Sequence, residues 1–259
     1  MKDLTITDKG NRLRFKFLDW DTRFFGVNSF TLDARGLVLR PDSGRFLARS
    51  LRSLKGPSFV TAKIPDDAPR HVIDLLSDAG FRYMNTEVTL EYVRRPEDGL
   101  TGRIPGGLSI EKASVMPRDA YLLGKEFRLT RFHMDENITR AKSDGVWTEY
   151  IKNFRPGRAS HVFIAKARHE TAGIILVNRS AQEGEYVNNL FFVAIKKKFR
   201  AKGAGRALIR RSLKWCAGQG GTVTVGTQAN NVGALNFYMK NGFTKVRGTK
   251  TVLHRWSGR

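Results

Sequence analysis

The sequence predicts an α+β fold, and three observations carry that prediction. An apolar run from Tyr186 to Ile195 reads as a strand. A glycine-bearing turn follows it and opens an amphipathic helix. The stretch Thr222-Val223-Thr224-Val225-Gly226-Thr227 then alternates as a half-buried strand does, ahead of another helical pattern.

The turn is the most telling element. Lys196, Lys197 and Lys198 lead into Arg200-Ala201-Lys202-Gly203-Ala204-Gly205, and the helix beyond carries Leu208, Ile209, Leu213 and Cys216 on one side. Glycines let backbone N–H groups approach a ligand closely, and a helix N-terminus adds partial positive charge. Together they make an anion site for a phosphate or pyrophosphate, although a plain tight turn accounts for the same residues.

The other elements follow in order. Leu108 to Lys112 reads as a strand, and Pro117-Arg118-Asp119 opens a helix. Val162 to Ala167 and Gly173 to Val177 form a hairpin leading to the strand before the turn. The segment from Arg94 to Gly107 is rich in glycine, proline and charge and has no apolar period, so it reads as a linker or long loop. The organisation expected is a partial N-terminal domain over 1–98, a linker over 99–107 and a complete domain over 108–259. The first part holds a partial echo of the second, with two unrelated Gly-Phe turns as the plain alternative. Leu75-Leu76-Ser77-Asp78-Ala79-Gly80-Phe81 before Glu87-Val88-Thr89-Leu90 parallels Tyr238 to Phe243 before Lys250 to Leu253.

Arg200-x-x-Gly203-x-Gly205, then a strand, then Asn231-x-x-Ala234-x-x-Phe237-Tyr238-x-Lys240-x-Gly242-Phe243, resembles the signature of the GCN5-related N-acetyltransferase (GNAT) superfamily. Both halves match in order and spacing. The resemblance implies a sandwich-like GNAT fold, a mixed central sheet flanked by helices, here preceded by a degenerate half-domain that closes one side of the acceptor cleft. It implies acetyl-coenzyme A as cofactor, lying between two splayed central strands. Backbone groups near Val193 and Ile195 would pair with the pantetheine arm. Arg200 and the amides of Lys202, Gly203, Ala204, Gly205 and Arg206 would hold the pyrophosphate. Asn231 would reach the cofactor, besides serving as a plain helix N-cap. Tyr238 would be the general acid protonating the departing thiolate, with a core aromatic as its rival role. A phenol titrates near ~10, close to an alkyl thiol, so it suits that transfer.

A closer resemblance concerns the acceptor. Leu18-Asp19-Trp20-Asp21-Thr22-Arg23-Phe24-Phe25-Gly26-Val27-Asn28, the segment Thr130-Arg131-Phe132-His133 with Trp147 and Tyr150-Ile151-Lys152-Asn153, and Gly226-Thr227-Gln228 resemble bacterial dTDP-fucosamine acetyltransferases. These acetylate the 4-amino group of a nucleotide-linked dideoxy sugar in polysaccharide biosynthesis. The resemblance covers most of the chain in short matches. It implies Arg131, Trp147, Tyr150 and Asn189 as substrate-side residues, with Arg131 on the diphosphate.

The chain departs from the family at its base. Many members carry a carboxylate about six residues ahead of the end of the strand before the turn. Here that position is Asn189, with Asn188 beside it, and an amide cannot take a proton. Glu185 is the nearest acid, so deprotonation through water stays open. The run Lys196 to Lys198 replaces the family's acid-and-proline turn.

Charge bounds the partners. Lysine and arginine total 46 against 24 acidic residues, a net charge of +22. Arg206, Arg210 and Lys214 recur along one helix face beside the lysine turn. This points to an anionic acceptor or to a polyanion such as nucleic acid or an acidic membrane face, with a solvated basic surface as the plain alternative; a nucleotide sugar is the anionic small molecule that the resemblance implies. A strongly basic enzyme suits a polyamine or a lysine-rich tail poorly. Another small amine, an aminoglycoside or a protein lysine, or a non-catalytic nucleic-acid-binding role on the same scaffold, are the alternatives. One cysteine, Cys216, excludes a disulfide framework and reads as core. Five histidines lie without ligand spacing, so no metal site is expected. Met1 to Thr5 lacks a signal peptide's apolar stretch and no run approaches ~18 apolar residues, which predicts a cytoplasmic protein with no membrane span. Pairing of two copies through the C-terminal strands is left open.

Overall fold

The computed structural model describes residues 2–94, 104–154, 159–182 and 184–258. They form two compact units, Met1–Glu87 with Met134–Asn137 and Gly248–Arg259, and Val88–His133 with Ile138–Arg247. Strands β5 (Arg82–Tyr92) and β11 (Phe243–Ser257) each contribute residues to both units. Of the expected linker, residues 99–103 lie outside the described residues.

The first unit is a mixed sheet with helices packed on it. Strands β1 (Leu4–Asp8), β2 (Asn11–Phe17), β3 (Asn28–Gly36) and β4 (Ser58–Pro65) stand in order beside the end of β11. Only β3 and β4 run parallel; β11 returns antiparallel, Lys250 to Ser257 against Pro65 to Ser58. In β2 the alternation Leu13, Phe15 in and Arg12, Arg14 out puts one face on the core. Helix α1 (Asp19–Phe25) closes on Gly26 in the left-handed region. Helices α2 (Ser43–Arg52) and α3 (Arg70–Asp78) bury Phe46, Leu47 and Leu51, and Val72 and Leu76, against that face.

The second unit orders its strands β5-β10-β9-β8-β7-β6. These are β6 (Leu108–Lys112), β7 (His161–Ala167), β8 (Glu170–Gln182), β9 (Glu185–Ile195) and β10 (Thr222–Gln228). The pairs from β6 to β9 are antiparallel, whereas β9 and β10 run parallel. One face carries α5 (Ala204–Gln219) and α6 (Val232–Met239); the other carries α4 (Arg140–Lys152) and a 3-10 helix, Arg118–Glu126. The mixed sheet flanked by helices is the fold expected. Pro117 does open a helix, but one of 3-10 geometry. The predicted apolar side of α5 is buried, and burial pushes the Cys216 thiol up to about 12, where it is inert.

The echo holds in detail. Helix α3 runs through Gly80 and Phe81 into β5, and α6 through Gly242 and Phe243 into β11. Both glycines are left-handed, at φ +87° and +91°. Among the described residues no helix is long and apolar enough to cross a membrane.

Candidate functional site

The site begins as a defect in the parallel pair. The β9–β10 ladder runs from Thr222 opposite Val187 to Val225 opposite Leu190, and ends there. Both strands continue, β9 to Ile195 and β10 to Gln228. At the same level β8 pairs Leu176 with Phe192 and Val177 with Leu190, so Phe191 is an extra residue in β9. Such a bulge bends its strand and increases the local twist. The strands part, and a cavity of about 740 Å³ opens between them. Phe191, Val193 and Ile195 line it from β9, and Gly226, Thr227 and Gln228 from β10. A third wall is the segment from Glu126 to Thr130 with Trp147 of α4.

The glycine turn forms the mouth. Ala201 and Gly203 have φ of +58° and +85°, the left-handed region that glycine occupies without steric cost. The first helical bond of α5 is Ala207 N–H to Gly203 O at 2.9 Å. The N–H groups of Ala204, Gly205 and Arg206 precede that bond and have no intrahelical carbonyl. A Cβ on Gly203 would stand 2.5 Å from Pro105 Cγ, and one on Gly205 would stand 3.0 Å from Phe237 Cζ. Only glycine therefore lets the turn and the two helices pack so closely.

The basic cluster is largely neutralised by local acids. Lys196 Nζ lies 3.0 Å from Glu170 and 3.5 Å from Asp119, Lys198 also pairs with Glu170, and Arg200 Nη2 meets Glu126 Oε2 at 2.7 Å. Glu126 Oε1 in addition accepts from Lys197 N–H at 3.1 Å. These contacts fix the turn. Among the described residues Lys202 and Arg206 carry no ion pair.

The far wall is α6. Asn231 caps it, its side chain accepting from Ala234 N–H at 3.2 Å, while Asn231 also lines the cavity. Tyr238 lines the cavity and is also core, 6% exposed among Phe237 and Phe243. Burial holds its phenol well above the ordinary value, so it stays protonated.

Of the sequence-predicted residues, Val193, Ile195, Arg200, Gly203, Gly205 and Arg206 line one cavity together with Asn231, Tyr238 and Trp147. Ala204 is buried at the start of α5, and Lys202 is exposed beside the turn. Arg131, Tyr150 and Asn189 are not among the lining residues. Arg131 stacks on Phe132, its guanidinium carbon 4.3 Å from the ring centre, and Tyr150 stacks on Phe192. Asn189 is displaced by the bulge. The extra Phe191 flips the alternation, so Leu190 shares the face of Val193 and Ile195. Asn188 is a backbone clip, donating to Gly220 O at 2.9 Å. Glu185 begins β9, where its hydrogen bond to Arg247 and then that to Thr222 hold its carboxyl below the ordinary range. Sequence reasoning missed the segment from Phe127 to Leu129. It leaves a 3-10 helix, and no apolar period marks it.

Three comparisons bear on the identity. The acetyltransferase (GNAT) family profile matches residues 128–243. The spore coat polysaccharide biosynthesis protein SpsD of Bacillus subtilis is 28% identical over 134 residues, spanning 51% of this chain and 45% of that protein's length. Among solved structures, a tandem GNAT protein from the clavulanic acid biosynthesis pathway aligns at a TM-score of 0.65 and 16% identity, over 99% of this chain and 83% of its own. A GCN5-related N-acetyltransferase from Sphaerobacter thermophilus aligns at a TM-score of 0.61 and 14% identity, over 94% and 76%. The structural likenesses speak for the fold, which is the GNAT fold. With the family match lying across the parted strands, the glycine turn and the helix bearing Asn231, this chain carries an acetyltransferase domain of the GNAT family.

Proposed function

We propose that the chain transfers acetyl from acetyl-coenzyme A to the amino group of a nucleotide-linked amino sugar. The observation that carries the cofactor is the wedge between β9 and β10 opening onto the N-terminus of α5. A pyrophosphate needs N–H groups without helical partners and cations without acids. Gly203 to Arg206, with Lys202, supply both.

When bound, coenzyme A supplies an acetyl group activated as a thioester. The chain's own residues do the rest. Val193 and Ile195 lie on the strand edge that β10 leaves, and their backbone groups suit an extended amide-bearing arm as a further strand would. Asn231 orients the ligand from the head of α6. Trp147 carries a buried Nε1–H with no hydrogen-bond partner among the described residues, on the cavity wall. A buried donor left unpaired costs about 1–3 kcal/mol, which an acceptor oxygen at that position would recover. Tyr238 Oη holds the proton that the leaving sulfur takes. Its buried setting raises a phenol and an alkyl thiol alike, so the two stay matched.

The acceptor class rests on SpsD, whose name attaches it to polysaccharide biosynthesis, and on the resemblance to the dTDP-fucosamine acetyltransferases. Arg128 and Arg206 line the cavity and suit an anionic acceptor. The N-terminal unit we read as a degenerate acetyltransferase-like half, since no Arg-x-x-Gly-x-Gly turn precedes α3.

The test is free-thiol release from acetyl-coenzyme A with nucleotide-linked 4-amino sugars, beside spermidine, an aminoglycoside and a lysine peptide. Turnover on an amino sugar that vanishes with the nucleotide removed is the expected result. Turnover on another amine alone overturns the acceptor class and keeps the cofactor.

A further inference from the structure

The cavity has no evident base. Among the described residues that line it, Glu126 is the sole carboxylate, and its two oxygens are committed to Arg200 and to the Lys197 N–H. Among the described residues no histidine lines it. The wall does hold Thr130, and behind Thr130 runs a chain of hydrogen bonds. Thr130 Oγ1 lies 2.7 Å from His133 Nδ1, and His133 Nε2 lies 3.1 Å from Asp144 Oδ1. Thr130 is 3% exposed, and the His133 side chain 2%.

We propose that Thr130, His133 and Asp144 form the proton relay that frees the acceptor amine for acetyl transfer. The proposal rests on the transfer reading above and supplies the base it lacks.

The local fold builds the relay from two segments. His133 N–H donates to Thr130 O at 2.9 Å, closing a tight turn that sets the two side chains together. Ser143 of α4 ties that turn to the helix through Phe132 O at 2.7 Å. The next residue of that helix, Asp144, presents its carboxylate to the ring.

The ring's tautomer follows from its partners. The hydrogen bond from His133, then the charges of Arg128 and Arg140, hold the Asp144 carboxyl below its ordinary range. An ionised carboxylate only accepts, so Nε2 carries the ring hydrogen. In the neutral ring Nδ1 is then a lone pair, and the Thr130 hydroxyl donates to it. Burial first, with Arg140 and Arg128 helping and Asp144 opposing, keeps the imidazole below its ordinary pKa and so neutral at pH 7. These three charged groups face it: Arg140 and Asp144 from α4, and Arg128 from the cavity segment.

The step balances. A proton leaves the acceptor ammonium for Thr130 Oγ1 as the Thr130 hydroxyl proton moves to His133 Nδ1. The N–H bonding pair stays on the amine as its nucleophilic lone pair. His133 becomes an imidazolium beside the Asp144 carboxylate and afterwards gives its proton to solvent. Thr130 is thus the group that touches the acceptor, and His133 and Asp144 act through it. The rival role for the cluster is purely mechanical, tying the turn to α4.

Two measurements on the intact protein decide between them. Histidine-¹⁵N spectra of the unliganded protein should give His133 as the Nε2–H tautomer with a midpoint below the ordinary ~6.5, and Thr130→Val should raise that midpoint. An Nδ1–H tautomer, or a ring charged at pH 7, overturns the relay without any substrate. The second measurement is kcat/KM against pH with acetyl-coenzyme A and dTDP-4-amino-4,6-dideoxygalactose. Thr130→Val should fall by about a hundredfold or more, and Thr130→Ser should stay within about tenfold. His133→Gln should move the acidic limb from the imidazole's midpoint up to that of the amine. A fallen rate with an unmoved limb assigns the cluster to structure and overturns the relay. Calorimetry with acetyl-coenzyme A keeps the two readings apart. A wild-type chain that binds none sinks the transfer reading, whereas normal binding with full activity in Thr130→Val sinks the relay alone.

Discussion

Replacing Gly203 by alanine tests the cofactor loop at its narrowest point. Gly203 stands at φ +85°, and a side chain in the left-handed region costs about 1–2 kcal/mol. Its new Cβ would also stand 2.5 Å from Pro105 Cγ, a distance that real Cβ atoms do not tolerate, so the loop or Pro105 must shift. Overpacking of this kind costs about 1–3 kcal/mol. The backbone term alone lowers the unfolding midpoint by roughly 2–8 °C for a chain of this size. Gly184→Ala separates the two terms. Gly184 shares the conformation, φ +86°, but its Cβ would meet nothing within 4 Å. Differential scanning calorimetry should rank Gly203→Ala below Gly184→Ala, and the gap measures the clash with Pro105. Titration calorimetry with acetyl-coenzyme A should show Gly203→Ala weakened at least about tenfold, since 1.4 kcal/mol is one decade, with Gly184→Ala unchanged. Gly203→Ala binding within twofold of wild type, at an unchanged midpoint, would refute both the packing argument and the anion-loop assignment.

Other perturbations address the remaining walls. Tyr238→Phe should leave acetyl-coenzyme A affinity near wild type and lower kcat by about 10²–10⁴, read by thiol release. Because burial raises the Tyr238 phenol, the unfolded chain ionises first above pH ~10; stability is complete below that pH and falls as pH rises, which alkaline urea titrations of wild type and Tyr238→Phe should resolve. Asn231→Ala should cost about 0.5–2 kcal/mol through the lost cap of α6 and should also weaken cofactor binding. Trp147→Phe keeps the ring packing on Phe127 and Phe192 but removes the unpaired donor, so stability should hold while acceptor KM rises. In the first unit, buried Asp135 accepts from His254 Nδ1 at 2.7 Å and Trp256 Nε1 at 2.8 Å. Burial alone would raise its carboxyl, but those donors outweigh burial and hold it low. Its contribution is present above the unfolded value near ~3.9 and is lost as pH falls through the folded one. Asp135→Asn should therefore remove about 3–5 kcal/mol at neutral pH and flatten the acid limb of stability.

What the sequence disclosed followed from strong local signals. Leu208, Ile209, Leu213 and Cys216 announce α5 because a helix with one buried face repeats its apolar residues. Gly203 and Asn231 announce a turn and a cap because few residues serve there. Gly80 and Gly242 did the same for the ends of α3 and α6. Other features had no local signal. The wall from Glu126 to Thr130 owes its place to tertiary packing on Trp147 and Phe192, and its 3-10 approach lacks the 3.6-residue period. Asn189 was placed by counting about six residues back from the end of β9 at Ile195, which keeps to one face of a regular strand but not across the bulge at Phe191. Arg131 and Tyr150 do not line the cavity, whereas Thr130 and Trp147 do. The His133–Asp144 contact joins a turn to a helix eleven residues on, and spacing alone does not foretell it.

The continuity of β5 and β11 through both compact units governs how the chain can be dissected. A fragment starting at Leu108 looks like a whole catalytic module by sequence, but it takes Lys250 to Ser257 away from their antiparallel partners in β4. It also strips that segment of its contacts with Thr61, Ala62 and Val60, leaving a bare, apolar strand tail. Such tails seek new partners, and the fragment should aggregate or exchange strands between copies. Shuffling or trimming of this enzyme therefore has natural seams elsewhere. An exposed turn such as Lys9-Gly10 between β1 and β2 can be opened for insertion or permutation without severing a strand.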